Sequence, residues 1–279
     1  MSADLHTHST ASDGRSTPSQ LVAEALRAGL TAVALTDHDT LRGLDEARAA
    51  ASGTPLRVLA GVELSTMTGD VSVHVLGYGD LRGDAGLAAA TARTVAAREH
   101  RVAEMARRLA AGEGLDAERL LEALRRRTPP GATPGRPHLA DALIDLGVLG
   151  HRNEAFPRLL AENGPYYVGY WAPPTGDGIS AIRAAGGVPV LAHPRGRRGA
   201  VLTDSQIADL VPAGLMGLEV DHRDHDDTAR YGLRILAKDL DLLVTGSSDY
   251  HGSGKLNALG ENTTDPAVLA ELDALLPDW

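Results

Sequence analysis

The chain has 279 residues, 43% of them hydrophobic, which is enough for one large core or for a domain with an insertion. Its 37 acidic residues outnumber its 27 basic ones, and the formal net charge of -10 argues against an extended nucleic-acid-binding surface. No apolar run reaches the ~20 residues of a membrane helix, no secretion signal is recognisable, and cysteine is absent, so we expect a cytoplasmic protein without a membrane partner, disulfides or thiolate metal sites.

Short apolar runs alternate with helical patterns at the start of the chain, which is typical of βα units. Predicted strands at 3–8 and 31–36 are followed by predicted helices at 17–28 and near 40–51. Ser16 or Thr17 is a suitable N-cap for the first helix, Pro18 suits its first turn, and Gly29 ends it.

Two further runs, at 56–65 and 70–78, are too close in sequence for a parallel crossover. A hairpin that turns around 68–69 is the better prediction, and it would bring Glu63 and His74 together at one rim. Later apolar runs follow at 186–194, 214–220 and 241–249. Seven runs, mostly interleaved with helices, predict an α/β fold: a closed or nearly closed (β/α)7 barrel.

The strand pattern stops between residues 84 and 164. A long helix is predicted over 90–111, where Val95, Val102, Met105 and Leu109 share a stripe. Three more helices are predicted, after Asp116, after 136–137 and near 153. We therefore expect a barrel formed by 1–83 and 165–279 and a helical insertion or lid subdomain formed by 84–164.

Histidines and carboxylates gather where the predicted strands end, which is the active rim of such a barrel. The rim residues are His6, His8, Asp13, Asp37, His38, Asp39, Glu63, His74, His193, Glu219, Asp249 and His251. Six of the eleven histidines are in this set, and a random scatter would place more of them on helices and turns. Imidazole and carboxylate without thiolate suit Zn²⁺, Mn²⁺ or Fe²⁺, and the number of groups is enough for two or three ions.

Seven rim motifs occur in a characteristic order. They are "HTHSTASDG", "LTDHDT", "GVELS", "VHVLGY", "GGVPVLAHP", "GLEV" and "GSSDYHG". With them the sequence resembles the PHP domain family (polymerase and histidinol phosphatase) of metal-dependent phosphoesterases. The resemblance implies a distorted (β/α)7 barrel with a trinuclear site, and hydrolysis by a hydroxide held between the ions.

The same resemblance implies three sets of ligands. The first ion would take His6, His8, Glu63 and Asp249; the second would share Glu63 and add His74 and His193; the third would take Asp13, His38 and His251. Some members have histidine at the position of Asp13, so the carboxylate is expected to alter metal preference.

Three residues are expected to take part in catalysis at the reacting centre: Asp37, His193 and Asp249. Asp37 is expected either to orient a neighbouring imidazole or to donate a proton to the leaving group. For Asp39, a helix N-cap is at least as good an interpretation.

The insert with "GRPHLA" and the closing "SDYHGSGK" resemble a branch that converts nucleoside 3′,5′-bisphosphates to nucleoside 5′-monophosphates. Some members of that branch trim short 5′-phosphorylated oligonucleotides. The resemblance makes Arg136 and His138 phosphate contacts, the alternative being a simple helix start. Arg195 and Lys255 are either further substrate contacts or solvated charges. The expected partner is thus a small phosphorylated substrate, a nucleotide.

Four histidines and an aromatic group lie outside these motifs. His100 and His151 are predicted at the surface, and His222 and His225 in an exposed acidic loop rather than in the pocket. The aromatic residues are Tyr166, Tyr167, Tyr170 and Trp171. Packing of the insert against the barrel is favoured for them over stacking on a base.

Two other functions stay open at this stage. Histidinol phosphate would be hydrolysed by the same chemistry, but its single phosphate makes Arg136 and His138 less necessary. A non-catalytic module of a polymerase would have no need for the full ligand set.

Overall fold

The computed structural model describes residues 2–162, 164–196, 201–276 and 279. In these residues seven strands form one sheet in chain order: β1 (Ala3–Thr7), β2 (Ala32–Leu35), β3 (Arg57–Thr68), β4 (Val71–Tyr78), β5 (Val188–Leu191), β6 (Gly217–Asp221) and β7 (Leu243–Gly246). Neighbouring strands are parallel, except that β4 is antiparallel to both β3 and β5. The backbone N–H of His8 donates to the Tyr250 carbonyl across the remaining gap (2.8 Å). The predicted, nearly closed seven-stranded barrel is confirmed.

The hairpin between β3 and β4 brings Glu63 and His74 to one face. Its turn contains Gly69, at a φ of 60°, and Ser65 lies opposite His74. Side chains two residues apart on a strand share a face, so Glu63 is the diagonal neighbour of His74. The predicted hairpin is therefore confirmed, and with it the meeting of these two side chains.

Six helices pack around the barrel: α1 (Pro18–Arg27), α2 (Leu44–Ala51), α7 (Thr175–Ala184), α8 (Asp204–Ala208), α9 (Asp227–Asp239) and α10 (Pro266–Leu275). Thr17, one of the two predicted candidates, caps α1 in a capping box with Gln20. The predicted start of α2 near residue 40 is wrong, because Asp39 has a φ of 53° and Gly43 is the N-cap. Asp39 therefore does not cap a helix.

Four helices form the insert: α3 (Ala85–Glu113), α4 (Ala117–Arg127), α5 (Arg136–Asp145) and α6 (Arg152–Arg158). Each matches a predicted helix, and Asp116 caps α4 by accepting from the Arg119 N–H (3.1 Å). Val102, Met105 and Leu109 belong to an apolar cluster whose buried members all lie between Val102 and Leu160, so that no barrel strand contributes to it. None of the helices in the described ranges has both the length and the apolar character needed to cross a membrane.

Candidate metal centre

Strand β1 carries His6 into the barrel mouth, and His8 follows directly after the strand. Both rings are fully buried, and their Nε2 atoms lie 3.1 Å apart. Glu63 Oε2 lies 3.2 Å and 3.0 Å from these nitrogens, and Asp249 Oδ1 lies 3.6 Å and 3.4 Å from them. Imidazole nitrogens and carboxylate oxygens that converge in this way, without thiolates, form a set of ligand atoms that suits a divalent transition metal.

Glu63 is the hub of the cluster because both of its oxygens are shared. Its Oε2 also lies 3.1 Å from His38 Nδ1, while Oε1 lies 2.8 Å from His74 Nδ1 and 3.1 Å from His193 Nε2. His74 and His193 are the more exposed of these imidazoles, at 24% and 20% of the side chain, and they mark the open side of the cluster. The geometry thus matches the bridging role that the sequence predicts for Glu63.

A third group, on the other side of His8, contains Asp13, His38 and His251. Asp13 Oδ1 lies 3.1 Å from His251 Nε2 and 3.8 Å from His8 Nδ1. Asp13 Oδ1 and His38 Nδ1 are nevertheless buried without a properly aligned hydrogen bond to any described residue. Ligand atoms that are close together and buried, but do not hydrogen-bond to one another, fit a coordinated ion.

The loop geometry at the rim is strained in ways that favour function. His193 and Asp249 adopt positive φ values of 29° and 52°, which are uncommon for residues other than glycine. Gly14 lets the loop after β1 fold back tightly, since a Cβ there would lie 2.5 Å from the His8 carbonyl oxygen. These backbone constraints place Asp13 and Asp249 on the cluster.

Electrostatics keep the acidic members of the cluster ionised. Burial alone would raise the pKa of Glu63, but His38, His74 and His6 hold it well below its usual range. Burial likewise opposes ionisation of Asp249, whose pKa is lowered by Lys255 and His251. These carboxylates are therefore available as charged ligands at neutral pH.

Two buried carboxylates support the cluster from behind. Glu219 accepts from the His193 backbone N–H (2.7 Å) and lies 3.0 Å from His6 Nδ1, so it fixes the His6 ring. Asp37 accepts hydrogen bonds from Ser9 and Ser12, and Ser12 Oγ lies 3.3 Å from His8 Nδ1. The sequence places Glu219 at the rim, in "GLEV", but does not indicate this role.

The comparisons with known proteins agree with this site. A family model described as the PHP domain matches residues 4–122. The chain is 34% identical to a 3′,5′-nucleoside bisphosphate phosphatase from Chromobacterium violaceum, over 90% of this chain and 88% of that one. It is 32% identical to a 5′-3′ exoribonuclease from Haemophilus influenzae, over 99% and 97% of the two chains. The chain belongs to the PHP family.

Other relatives extend this result. A phosphoribosyl 1,2-cyclic phosphate 1,2-diphosphodiesterase from Eggerthella lenta is 33% identical over 90% of this chain and 95% of its own. A crystal structure from Bifidobacterium adolescentis, described provisionally as a metal-dependent phosphoesterase, is 39% identical with a TM-score of 0.91, over 98% and 96% of the two chains. This PHP chain is accordingly a metal-dependent phosphoric ester hydrolase.

The predicted substrate residues of this PHP protein have partners within the chain. Arg136 donates to the Leu160 carbonyl (3.1 Å) and to Glu162 (2.8 Å). His138 Nδ1 accepts from the Gly135 N–H at the start of α5, as the helix-start interpretation expects. The start of α5 still borders the cluster, because a Cβ on Gly135 would lie 3.9 Å from Asp13 Oδ2.

The other two predicted contacts lie in different places. The Arg195 side chain forms an ion pair with Asp204, and its backbone N–H donates to His225. Lys255 Nζ lies 2.6 Å from Asp249 Oδ2, so it belongs to the immediate surroundings of the predicted metal ligands. Of this pair, Lys255 is the one whose position supports contact with an anion bound at the cluster.

The prediction of an exposed loop for His222 and His225 is wrong, because both are buried, at 1% and 3% exposure. His222 Nδ1 accepts from the Asp224 N–H, and its Nε2 lies 3.7 Å from Asp249 Oδ2. His225 Nε2 accepts from the Arg195 N–H (3.2 Å). This loop folds back over the barrel mouth, which its acidic sequence does not indicate. His100 and His151 are exposed, as predicted.

Two arginines of α3, Arg98 and Arg101, are buried, and neither is among the site residues predicted from the sequence. Arg98 donates to Asp39 Oδ2 (3.2 Å) and to Ser65 Oγ (2.7 Å), and Arg101 donates to the Val168 carbonyl (2.9 Å). Both lie on the apolar stripe of the helix, where a charged residue is itself a signal.

The aromatic residues pack against this helix of the insert. Trp171 lies under Arg93 with its ring centroid 3.6 Å from Cζ, and Tyr166 donates to Glu113 (2.7 Å). Tyr167 and Tyr170 contact the buried arginine Arg101. The aromatic group therefore packs on the insert and holds arginines of α3 through cation–π contacts.

Proposed function

We propose that the protein removes the 3′ phosphate from nucleoside 3′,5′-bisphosphates and releases nucleoside 5′-monophosphates. The observation that carries this proposal is that the histidine–carboxylate cluster is bordered by the start of α5, while Arg101 and Arg136 of the insert, which we call the arginine wall, lie at the same ring of Tyr167. The cluster engages one phosphate as the reacting centre, and the arginine wall suits a second, remote phosphate. The relative from Chromobacterium violaceum supports the same substrate class.

Two or three divalent ions, Mn²⁺, Fe²⁺ or Zn²⁺, would occupy the three ligand sets predicted above. Such ions supply Lewis acidity at phosphoryl oxygens and lower the pKa of coordinated water. Glu63 would hold two of the sites together, with His193 and Asp249 at the reacting centre. Asp37 is proposed to position His8 through Ser12, because its carboxylate oxygens are already engaged by Ser9 and Ser12 and are poorly placed to protonate a leaving group.

Charge-assisted contacts to the remote phosphate would use binding energy to orient the reacting phosphate. Substrates without the second phosphate should therefore lose in kcat as well as in KM. Short 5′-phosphorylated oligonucleotides present the same terminal group and are the second substrate to test, a choice that the exoribonuclease relative also supports. A cytoplasmic location remains a prediction from the sequence.

The test is a product assay on Mn²⁺-loaded protein with adenosine 3′,5′-bisphosphate, analysed by chromatography. We expect adenosine 5′-monophosphate as product and much slower hydrolysis of adenosine 3′-monophosphate. Formation of the 3′-monophosphate would reverse the orientation. Consumption of histidinol phosphate or of a ribose cyclic phosphate, with the bisphosphate untouched, would contradict the proposal.

Arg136→Ala supplies the residue-level test. Loss of a charge-assisted hydrogen bond costs about 1.5–3 kcal/mol, so KM for the bisphosphate should rise by about one to two decades. A generic phosphoester, which has no second phosphate, should be hydrolysed almost as before. Equal losses on both substrates would place Arg136 at the scissile phosphate instead. Arg107→Ala, at an exposed position of α3, is the control.

A further inference from the structure

Arg101 is a buried cation without a counter-charge among the described residues. The residue is 5% exposed, its Nε donates to the Val168 carbonyl, and its Nη2 is buried without a hydrogen-bond partner in the described parts of the chain. No carboxylate in those parts forms an ion pair with it. Burial of a charge in this way is costly unless a partner compensates for it.

A second cation and two aromatic rings surround this guanidinium. Its Cζ lies 5.0 Å from the ring centroid of Tyr167 and 4.7 Å from that of Tyr170. Burial, and next the like charge of Arg136, lower the pKa of Arg101 to about 10. The Arg136 side chain is 21% exposed and marks the side from which solvent reaches the pair. The positive charges of two neighbouring arginines repel each other, whereas an anion bound between them would be attracted by both.

Arg98 shows what a purely structural arginine looks like on the same helix. It is equally buried, but its Nη1 donates to Asp39 and Ser65 beside the metal cluster. Arg101 lies three residues further along α3, a rise of about 4.5 Å along the helix axis. The side chains of Arg98 and Arg101 thus leave successive turns of one helix, and the Arg98 guanidinium already contacts residues beside the cluster.

We propose that Arg101 is a specificity-determining residue that, together with Arg136, binds the non-reacting phosphate of the substrate. This inference rests on the proposed function and names the residue that makes a second phosphate necessary. A planar guanidinium binds phosphate through two parallel N–H groups, and Arg101 Nη2 is free to supply one of them. Tyr167 and Tyr170 hold the guanidinium in place, and α3 gives it a rigid base.

The kinetic test compares Arg101→Met and Arg101→Lys with Arg107→Met, an exposed arginine of the same helix. For R101M we expect kcat/KM for adenosine 3′,5′-bisphosphate to fall about ten- to hundredfold. Adenosine 3′-monophosphate should be hydrolysed within about twofold of the wild-type rate, and R101K should keep part of the discrimination. Equal losses on both substrates, or no loss on either, would overturn the proposal.

A binding measurement separates this inference from the proposed reaction. Calorimetry should show that the Mn²⁺-loaded wild type binds adenosine 5′-monophosphate at least about tenfold more tightly than adenosine, and that R101M loses this preference. If the wild type cleaves no bisphosphate but this pattern is found, the proposed reaction fails and the subsite stands. If R101M keeps the preference, or the wild type has none, the subsite is refuted.

Thermal unfolding without ligand distinguishes binding from support of the fold. Arg98→Met should lower the melting temperature strongly, because it leaves Asp39 buried and unpaired. R101M should lower it far less, since no carboxylate loses its partner. A drop as large as that of R98M, together with equal losses on all substrates, would make Arg101 a structural residue and overturn the proposal.

Discussion

Substitution of Glu63 by glutamine tests whether one carboxylate joins the predicted ion sites. The two oxygens of Glu63 lie within 3.2 Å of ring nitrogens of His6, His8, His38, His74 and His193. Glutamine keeps the shape of the side chain, but one oxygen becomes an NH₂ donor and the negative charge is lost. A bridging ligand is thereby removed without creating a cavity.

The expected loss follows from the number of contacts. Changes in groups that only orient a ligand already weaken metal binding 10–100-fold. Removal of a charged bridging ligand should therefore weaken each affected site by at least about 100-fold, or about 2.7 kcal/mol per ion. Elemental analysis after Mn²⁺ loading and gel filtration should give two or three ions for the wild type and one or none for E63Q. His74→Asn should lose one ion at most.

Glu104→Gln is the matched control, because this carboxylate is on α3 and pairs with exposed arginines. It should bind the same number of ions as the wild type. Circular dichroism and thermal unfolding of the E63Q protein exclude gross unfolding as the cause of metal loss. Wild-type metal content in a folded E63Q protein would refute the bridging role of Glu63 and, with it, the assignment of two sites to one carboxylate.

Three further predictions use the surroundings of the cluster. Burial lowers the pKa of His225 below 6.5, so its neutral form stabilises the fold fully above pH 6.5, and this stabilisation is lost as the pH falls through the pKa of the folded state. In urea titrations, the free energy of unfolding of His225→Gln should therefore decline less below pH 6.5 than that of the wild type. Arg98→Met should reduce the free energy of unfolding by about 3–5 kcal/mol, measured by urea titration, because Asp39 is left buried and unpaired; a loss below 1 kcal/mol would contradict this. Asp37→Asn should weaken Mn²⁺ binding roughly 10–100-fold in calorimetry, since the serine that Asp37 holds contacts His8, and unchanged affinity would remove its positioning role.

The barrel and its rim are predictable because the relevant signals are local. Apolar runs separated by helical patterns define the strands, and the polar residues that follow each run necessarily meet at one end of a parallel barrel. The spacing of His6 and His8 on one strand, and the short link between β3 and β4, fix their geometry without knowledge of the rest of the fold. The cluster around Glu63 is the sum of these local rules.

Other features depend on packing between segments that are distant in sequence. The loop with His222 and His225 is rich in acidic residues, yet it is buried because His225 accepts from the backbone of Arg195 after another strand. Asp39 looks like a helix cap but bonds to Ser65 and to an arginine of the insert. Partners of this kind, 26 to 59 residues apart, leave no periodic signal in the chain.

The insert is braced against the metal-binding loops rather than attached by its ends alone. Asp141 on α5 is buried and accepts two hydrogen bonds from Arg152 as well as one from Arg15, next to the loop of Asp13. On the other side, Arg98 joins α3 to the barrel. Opening would separate Arg98 from Asp39, both of which are buried, at a cost of about 3–5 kcal/mol, whereas Asp141 would keep Arg152 as its partner; an opening that breaks the Arg98–Asp39 pair is therefore rarely populated. We therefore expect the insert to act as a fixed wall of the proposed active site rather than as a freely moving lid, since the proposed binding of two phosphates requires the arginines and the cluster to keep a constant separation.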